Sequence, residues 1–124
     1  MKKFQSFVKK YAFRQYHYSG DKVAMHRAAM GMLRELATAL GYAPDAYDVR
    51  SNKGGIAVTG EVTLHADNLY VQVCDAWGSN HLAFLVRTCK GRKDYCGGVN
   101  HYLHPHLASF DDVVTFCKRI TRNA

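Results

Sequence analysis

The sequence predicts an α+β domain: two N-terminal helices, an antiparallel meander of three to five strands, and one C-terminal helix packed on the sheet. Three observations carry that reading. Up to Pro44 the apolar residues recur at helical spacing. From Tyr47 to Tyr102 the period changes to two. Beyond Pro105 an amphipathic stretch opens on a capping signal and closes on basic residues. The 124 residues and 14.0 kDa fit a single domain. It divides into a helical part (1–41), a sheet (47–103) and a closing helix (109–122).

The first helix is expected over 3–18. Phe4, Phe7, Val8 and Tyr11 share one face, and Lys3, Lys10, Arg14 and His17 fall on another. Ser19-Gly20-Asp21 is a break with capping residues. A second helix is expected from about 22 to 40, with Met25, Ala29, Met32, Leu33, Leu36 and Leu40 on its apolar face and Gly41 as C-cap. Gly31 in its middle weakens it or allows the first helix to pack closely.

Past Pro44, Tyr47–Arg50 reads as a short strand and Ser51-Asn52-Lys53-Gly54-Gly55 as a turn. In 56–65, Ile56, Val58, Val62 and Leu64 alternate with Ala57, Thr59, Glu61 and Thr63. Gly60 falls on the apolar side and points to a bulge or a close contact. Ala66-Asp67-Asn68 is a tight connection into Leu69–Cys74. Leu82–Val86 is apolar on both faces, which predicts a central, covered strand. A last strand is placed at 99–103, ahead of Pro105. In the closing helix Ser109 and Asp112 approach a capping box. Phe110, Val113, Val114, Cys117 and Ile120 form the apolar stripe, and Lys118, Arg119 and Arg122 suit the C-terminal end of the helix dipole.

Seventeen Lys and Arg against ten Asp and Glu give a net charge of +7. The excess is uneven: residues 1–27 carry +6, 28–85 carry −3 and 86–124 carry +4. Basic ends around an acidic middle point to an anionic partner, either nucleic acid or an acidic face of a host protein or nucleoprotein complex. A membrane partner is not expected, because no apolar run approaches the ~18 residues that a spanning helix needs. The early lysines leave no signal-peptide stretch, so a cytosolic protein is expected.

The densest local feature is Arg87, Lys90, Arg92 and Lys93, with Tyr95 beside them and Asn100, His101, Tyr102 and His104 downstream. Such cations neutralise phosphates, and aromatic faces stack bases. Gly91, Gly97 and Gly98 would let backbone approach a ligand. The same loop also reads as a solvated hairpin tip whose charges guard an edge strand. Lys3, Lys10 and Arg14 are a second candidate surface, or the ordinary wet face of an amphipathic helix.

Cys89, Cys96, His101, His104 and His106 are zinc-type ligands, but their spacing contains no CxxC knuckle, and no metal site is assigned. A Cys74–Cys89 disulfide is disfavoured, because those residues end two successive antiparallel strands. No phosphate-cradling GxxxxGK[ST], no HExxH and no GxSxG occurs. The expectation is a non-enzymatic protein without cofactor. The enzymatic alternative is a metal-free ribonuclease using His101, His104, Arg92 and Lys93.

The order helix, three antiparallel strands, helix over 22–121 resembles the double-stranded-RNA-binding domain. That family grips phosphate with lysines at the start of its last helix. Here that place reads Ser109-Phe110-Asp111-Asp112. The stretch 87–98, following Asp67-Asn68-Leu69-Tyr70-Val71-Gln72-Val73, is similar to small proteins of bacterial phages and mobile elements. That resemblance implies an anti-defence protein, such as an anti-CRISPR inhibitor, acting in the cytoplasm of a bacterial host by occupying a surface.

Overall fold

Positions 4, 7 and 11 lie one turn apart on helix α1 (Lys2–Tyr11), and Phe4, Phe7 and Tyr11 are all buried there. Met25, Ala29, Met32, Leu33 and Leu36 form the matching face of α2 (Ser19–Ala39). Burial of side chains of this size contributes roughly 1.5–3 kcal/mol each. These faces define a core that a computed structural model of the chain describes over residues 2–11, 19–54, 60–75, 82–94, 97–105 and 108–122. The start of the expected strand at 56–59 and the residues Arg14, Tyr16, His17, Tyr18, Tyr95, Cys96 and His106 lie outside the described residues.

The sheet is a five-stranded antiparallel meander in sequence order: β1 (Tyr47–Asn52), β2 (Glu61–Ala66), β3 (Leu69–Asp75), β4 (Leu82–Thr88) and β5 (His101–Leu103). Helix α3 (Phe110–Arg122) closes the chain. The α+β class and element order are those the periodicity predicts. The register aligns Leu64 with Val71, Val71 with Val86, and Val73 with Phe84, so one face of the sheet is continuously apolar. The helices cover that face. Phe4 meets Phe110 edge-on at 5.3 Å and lies 5.9 Å from Phe84, which ties α1, α3 and β4 together. Thr63, His65, Tyr70, Ala83 and Leu85 alternate onto the other face and are buried as well. Strand β4 is therefore covered on both sides, as its unbroken apolar run requires.

Several boundaries move. Helix α2 begins at Ser19 and ends at Ala39. Strand β1 runs on through Ser51 and Asn52, which the sequence assigns to a turn. There they pair with Val62 and Glu61, so cross-strand pairing overrides their turn preference. Strand β5 is shorter than expected, and β4 continues to Thr88. Gly41 does end α2, at φ 89°. Its N–H donates to the Thr38 carbonyl and the Tyr42 N–H to the Ala37 carbonyl, both at 3.0 Å, which is a Schellman cap. Gly60 has φ 75°, and a Cβ there would overlap the Asn52 carbonyl oxygen. The expected close contact is thus real and made by the chain's own β1 end. At α3 the capping box is complete: the Ser109 N–H donates to Asp112 Oδ2 at 2.9 Å, and the Asp112 N–H donates to Ser109 Oγ at 3.1 Å.

Two polar residues of α2 are buried as well. Lys22 Nζ donates to the Lys53 carbonyl at 2.9 Å, and His26 Nδ1 lies 2.7 Å from Ser51 Oγ. Periodicity marks which face is apolar but does not register polar groups that find partners on a neighbouring strand. These contacts pin the first half of α2 to the end of β1 and so set the helix on which part of the candidate site stands.

Candidate anion-binding site

Four cations follow one another at and after the end of β4, but the fold uses two of them internally. The Arg87 guanidinium lies over the Tyr70 ring, 4.2 Å from its centre. The pairing Tyr70↔Arg87 across β3 and β4 puts the two side chains on one face. Arg92 reaches back across the sheet. It donates to the Asp45 carbonyl and lies 3.6 Å from the carboxylates of both Asp48 and Asp67. Asp94 accepts from the Lys90 backbone N–H at 3.0 Å and holds the turn. Of the four cations, Lys90 and Lys93 present exposed side chains. Two carboxylates from the acidic middle of the sequence have been brought to Arg92, so one of the four cations of the loop is paired with acids.

The glycines behind this loop also face inward. A Cβ on Gly97 would sit 2.5 Å from the Thr88 carbonyl oxygen and 2.9 Å from Arg87 Nε, and the Gly98 N–H donates to that carbonyl at 2.8 Å. Close approach is therefore required at Gly97, but to β4 of the same chain and not to a ligand. Gly91 has open space around it.

Beneath the loop, His65 is buried, with Nε2 2.8 Å from Thr63 Oγ1 and its ring edge-on to Tyr70 at 5.2 Å. Burial and then the nearby Arg50 charge push its pKa below the ordinary 6.5. Cys89 donates from Sγ to the Ala66 carbonyl, and burial raises its thiol pKa. Cys117, on the buried stripe of α3, is pushed up to about 12 by burial and is an apolar core residue in effect. Cys74 and Cys89 are not bridged to each other.

The second sequence candidate changes character in the other direction. Lys3 and Lys10 are both exposed on α1, seven residues apart. The groove between α1 and α2 that they edge has a volume of about 390 Å³. Its far wall carries Arg27, which sequence reasoning missed as a site residue, and its floor is formed by Phe7, Tyr11, Ala28 and Gly31. Among the described residues lining it there is no carboxylate. Lys10 Nζ is 5.5 Å from the centre of the Tyr11 ring, which holds that ammonium at the groove edge. The Lys3 side chain lies over Gly31, 3.5 Å from where a Cβ would stand. Gly31 therefore makes room for a lysine stem and not for the α1 backbone. A shallower depression continues past Lys3 and is lined by Arg34 and Glu35. Glu35 Oε1 accepts from the Phe4 N–H at 3.4 Å, a carboxylate at the start of α1. The signal that could have found Arg27 and Arg34 is their spacing: with Gly31 they stand at i, i+4 and i+7 on α2, opposite the i, i+7 lysines of α1.

His101 lies elsewhere. It packs edge-on against Phe116 of α3 at 5.1 Å, on the helix-covered side and at the β5 edge of the sheet. Arg92 contacts Asp48 on β1, at the opposite edge. The Arg92 guanidinium and the His101 ring thus have separate partners. Among the described residues, no three His, Cys, Asp or Glu side chains converge as metal ligands. No described helix is long and apolar enough to cross a membrane.

In comparison with known proteins, no family model, no curated protein and no solved structure matches this chain. The resemblances drawn from its motifs gain no relative from them, and a functional reading stands on the geometry.

Proposed function

We propose that this protein is a non-catalytic binding module for an anionic partner, and that the α1–α2 groove is its contact surface. The observation that carries the reading is the trio Lys3, Lys10 and Arg27 around one groove whose described lining contains no carboxylate. Cations that share a concave surface raise the local potential together and attract anions from a distance. The contrast with the loop after β4 supports the choice, because there Arg92 already has Asp48 and Asp67. Lys90 and Lys93, both exposed, do not line the groove and serve as charge-matched controls. Binding is favoured over the ribonuclease alternative because Arg92 is engaged by Asp48 and Asp67 while His101 packs on Phe116.

The test is retention on an immobilised polyanion such as heparin, with net charge held equal between variants. The groove variant Lys3→Gln, Lys10→Gln, Arg27→Gln is compared with a control, Lys90→Gln, Lys93→Gln, Lys118→Gln. All six residues are exposed, so both variants should fold. The groove variant should elute at clearly lower salt than the control. Equal elution would show that only total charge matters and would remove the groove from the reading.

A further inference from the structure

We infer that the groove takes a phosphodiester backbone, seated lengthwise along the seam between α1 and α2 and read without regard to base sequence. The inference rests on the anionic-partner reading and deepens it. Its basis is the order of the cations. Lys3 lies over Gly31, between Arg27 and Arg34 on the α2 face, and Lys10 lies further along the same groove, beside Arg27. With a helical rise of ~1.5 Å per residue, Lys3 and Lys10 are about 10 Å apart along α1, and Arg27 and Arg34 are as far apart along α2. The row therefore reads Arg34, Lys3, Arg27, Lys10, with the two helices alternating, over about 15 Å, and at its Arg34 end it includes the Glu35 carboxylate, which accepts from the Phe4 N–H. That is a cation roughly every 5 Å, against the ~3.4 Å axial spacing of phosphates along one nucleic-acid strand.

The floor argues against the other polyanion, an acidic protein surface. Protein interfaces are anchored by large apolar or aromatic side chains at their centre. In this groove Phe7 is 1% and Tyr11 5% exposed, so the rings are committed to the core and offer neither an anchor nor a platform on which bases could stack. What remains accessible is chiefly the row of cations, with Ser6 between them and the Glu35 carboxylate at its Arg34 end. A partner bound by line charge alone is one whose own charge is regular and continuous, which describes a phosphodiester chain.

The experiment is fluorescence anisotropy of a labelled 20-nucleotide oligomer, double- and single-stranded, titrated with the full chain between 50 and 200 mM KCl. Four phosphate contacts predict a log–log salt slope of about −3.6 for duplex or −2.8 for single strand, a loss of affinity on the order of 50- to 150-fold over that range. The slope and the tighter-binding probe identify which form is taken. Arg27→Gln with Arg34→Gln should lower the magnitude of the slope by about 1.8 for duplex or about 1.4 for single strand, whereas Lys90→Gln with Lys93→Gln should leave it unchanged. Scrambling the oligomer sequence should not alter affinity. An unchanged slope in the Arg27, Arg34 variant, or affinity that depends on base sequence, overturns the inference. Polyglutamate is the second probe. Binding of polyglutamate without the oligomer, lost in the groove variant, overturns the nucleic-acid inference and leaves the anionic-partner reading standing. Binding of neither overturns both.

Discussion

At the end of β4 and in the loop after it, Arg87 lies over the Tyr70 ring and Arg92 lies near both Asp48 and Asp67. In the groove between α1 and α2, Lys3, Lys10 and Arg27 stand around a described lining with no carboxylate. Both regions read as basic clusters along the chain, and the denser of the two is the one in which folding gives both arginines internal partners. The difference is topological. The loop folds back over a sheet whose turns and edge strand carry the acidic middle of the sequence. The groove is formed by two helices whose facing positions carry cations. Local charge density is therefore a poor guide to anion affinity until the partners of each charge are known, since an arginine already beside two carboxylates gains less from a third anion.

The most severe way to break the comparison is to remove the platform of the groove. Phe110 is buried edge-on against Phe4, through which α1 is held. Phe110→Ala should cost about 3–5 kcal/mol, a large share of the stability of a small domain. Phe116→Ala, half-buried and off the inner stripe, should cost clearly less. Denaturant melts of the two variants check this, and equal losses would mean that α3 packs differently.

Acid acts on the other region. His65 sits under the basic loop with a pKa lowered by burial and by Arg50. Unfolded chains then bind its proton more readily than folded ones. Its stabilising contribution is full above pH 6.5 and is lost as the pH falls from there through the lower folded value. Melting temperature should drop across that window, and His65→Gln should flatten the drop. An undiminished drop in the variant would assign the effect to another group.

A smaller effect should sharpen the contrast directly. Arg92→Gln removes two partly exposed ion pairs and should cost about 1 kcal/mol or less. Because Arg92 is committed to internal partners, polyanion retention should fall less than in Arg27→Gln, although each variant loses one charge. Salt elution of the pair decides it.

The smallest expected change has the opposite sign. A Cβ at Gly31 would meet only the Lys3 stem at ordinary contact distance. Gly31→Ala should stabilise α2 by up to ~1 kcal/mol and leave groove binding intact. Destabilisation would show that α1 packs closer than described.

Much of this architecture was legible in the chain. The switch from helical to strand period after Pro44, the Gly41 cap, the Ser109–Asp112 box and the doubly covered β4 follow from local rules, because period, capping and burial pattern are properties of neighbouring residues. Strand ends were less legible. Ser51 and Asn52 have turn chemistry, and only their pairing with Val62 and Glu61 makes them strand.

The candidate site divides along the same line. Lys3 and Lys10 could be placed on one wet face of α1 from their spacing alone. Arg27 could not be joined to them, since which faces of α1 and α2 meet is decided by how both helices seat on the sheet. Nor could sequence show that Arg92 is occupied: Asp48 and Asp67 stand far from it along the chain and near it only once β1, β2 and β3 are paired. Residue type and local period are written in the chain, whereas the state of each charge depends on distances between segments, which exist only after the sheet and helices have assembled.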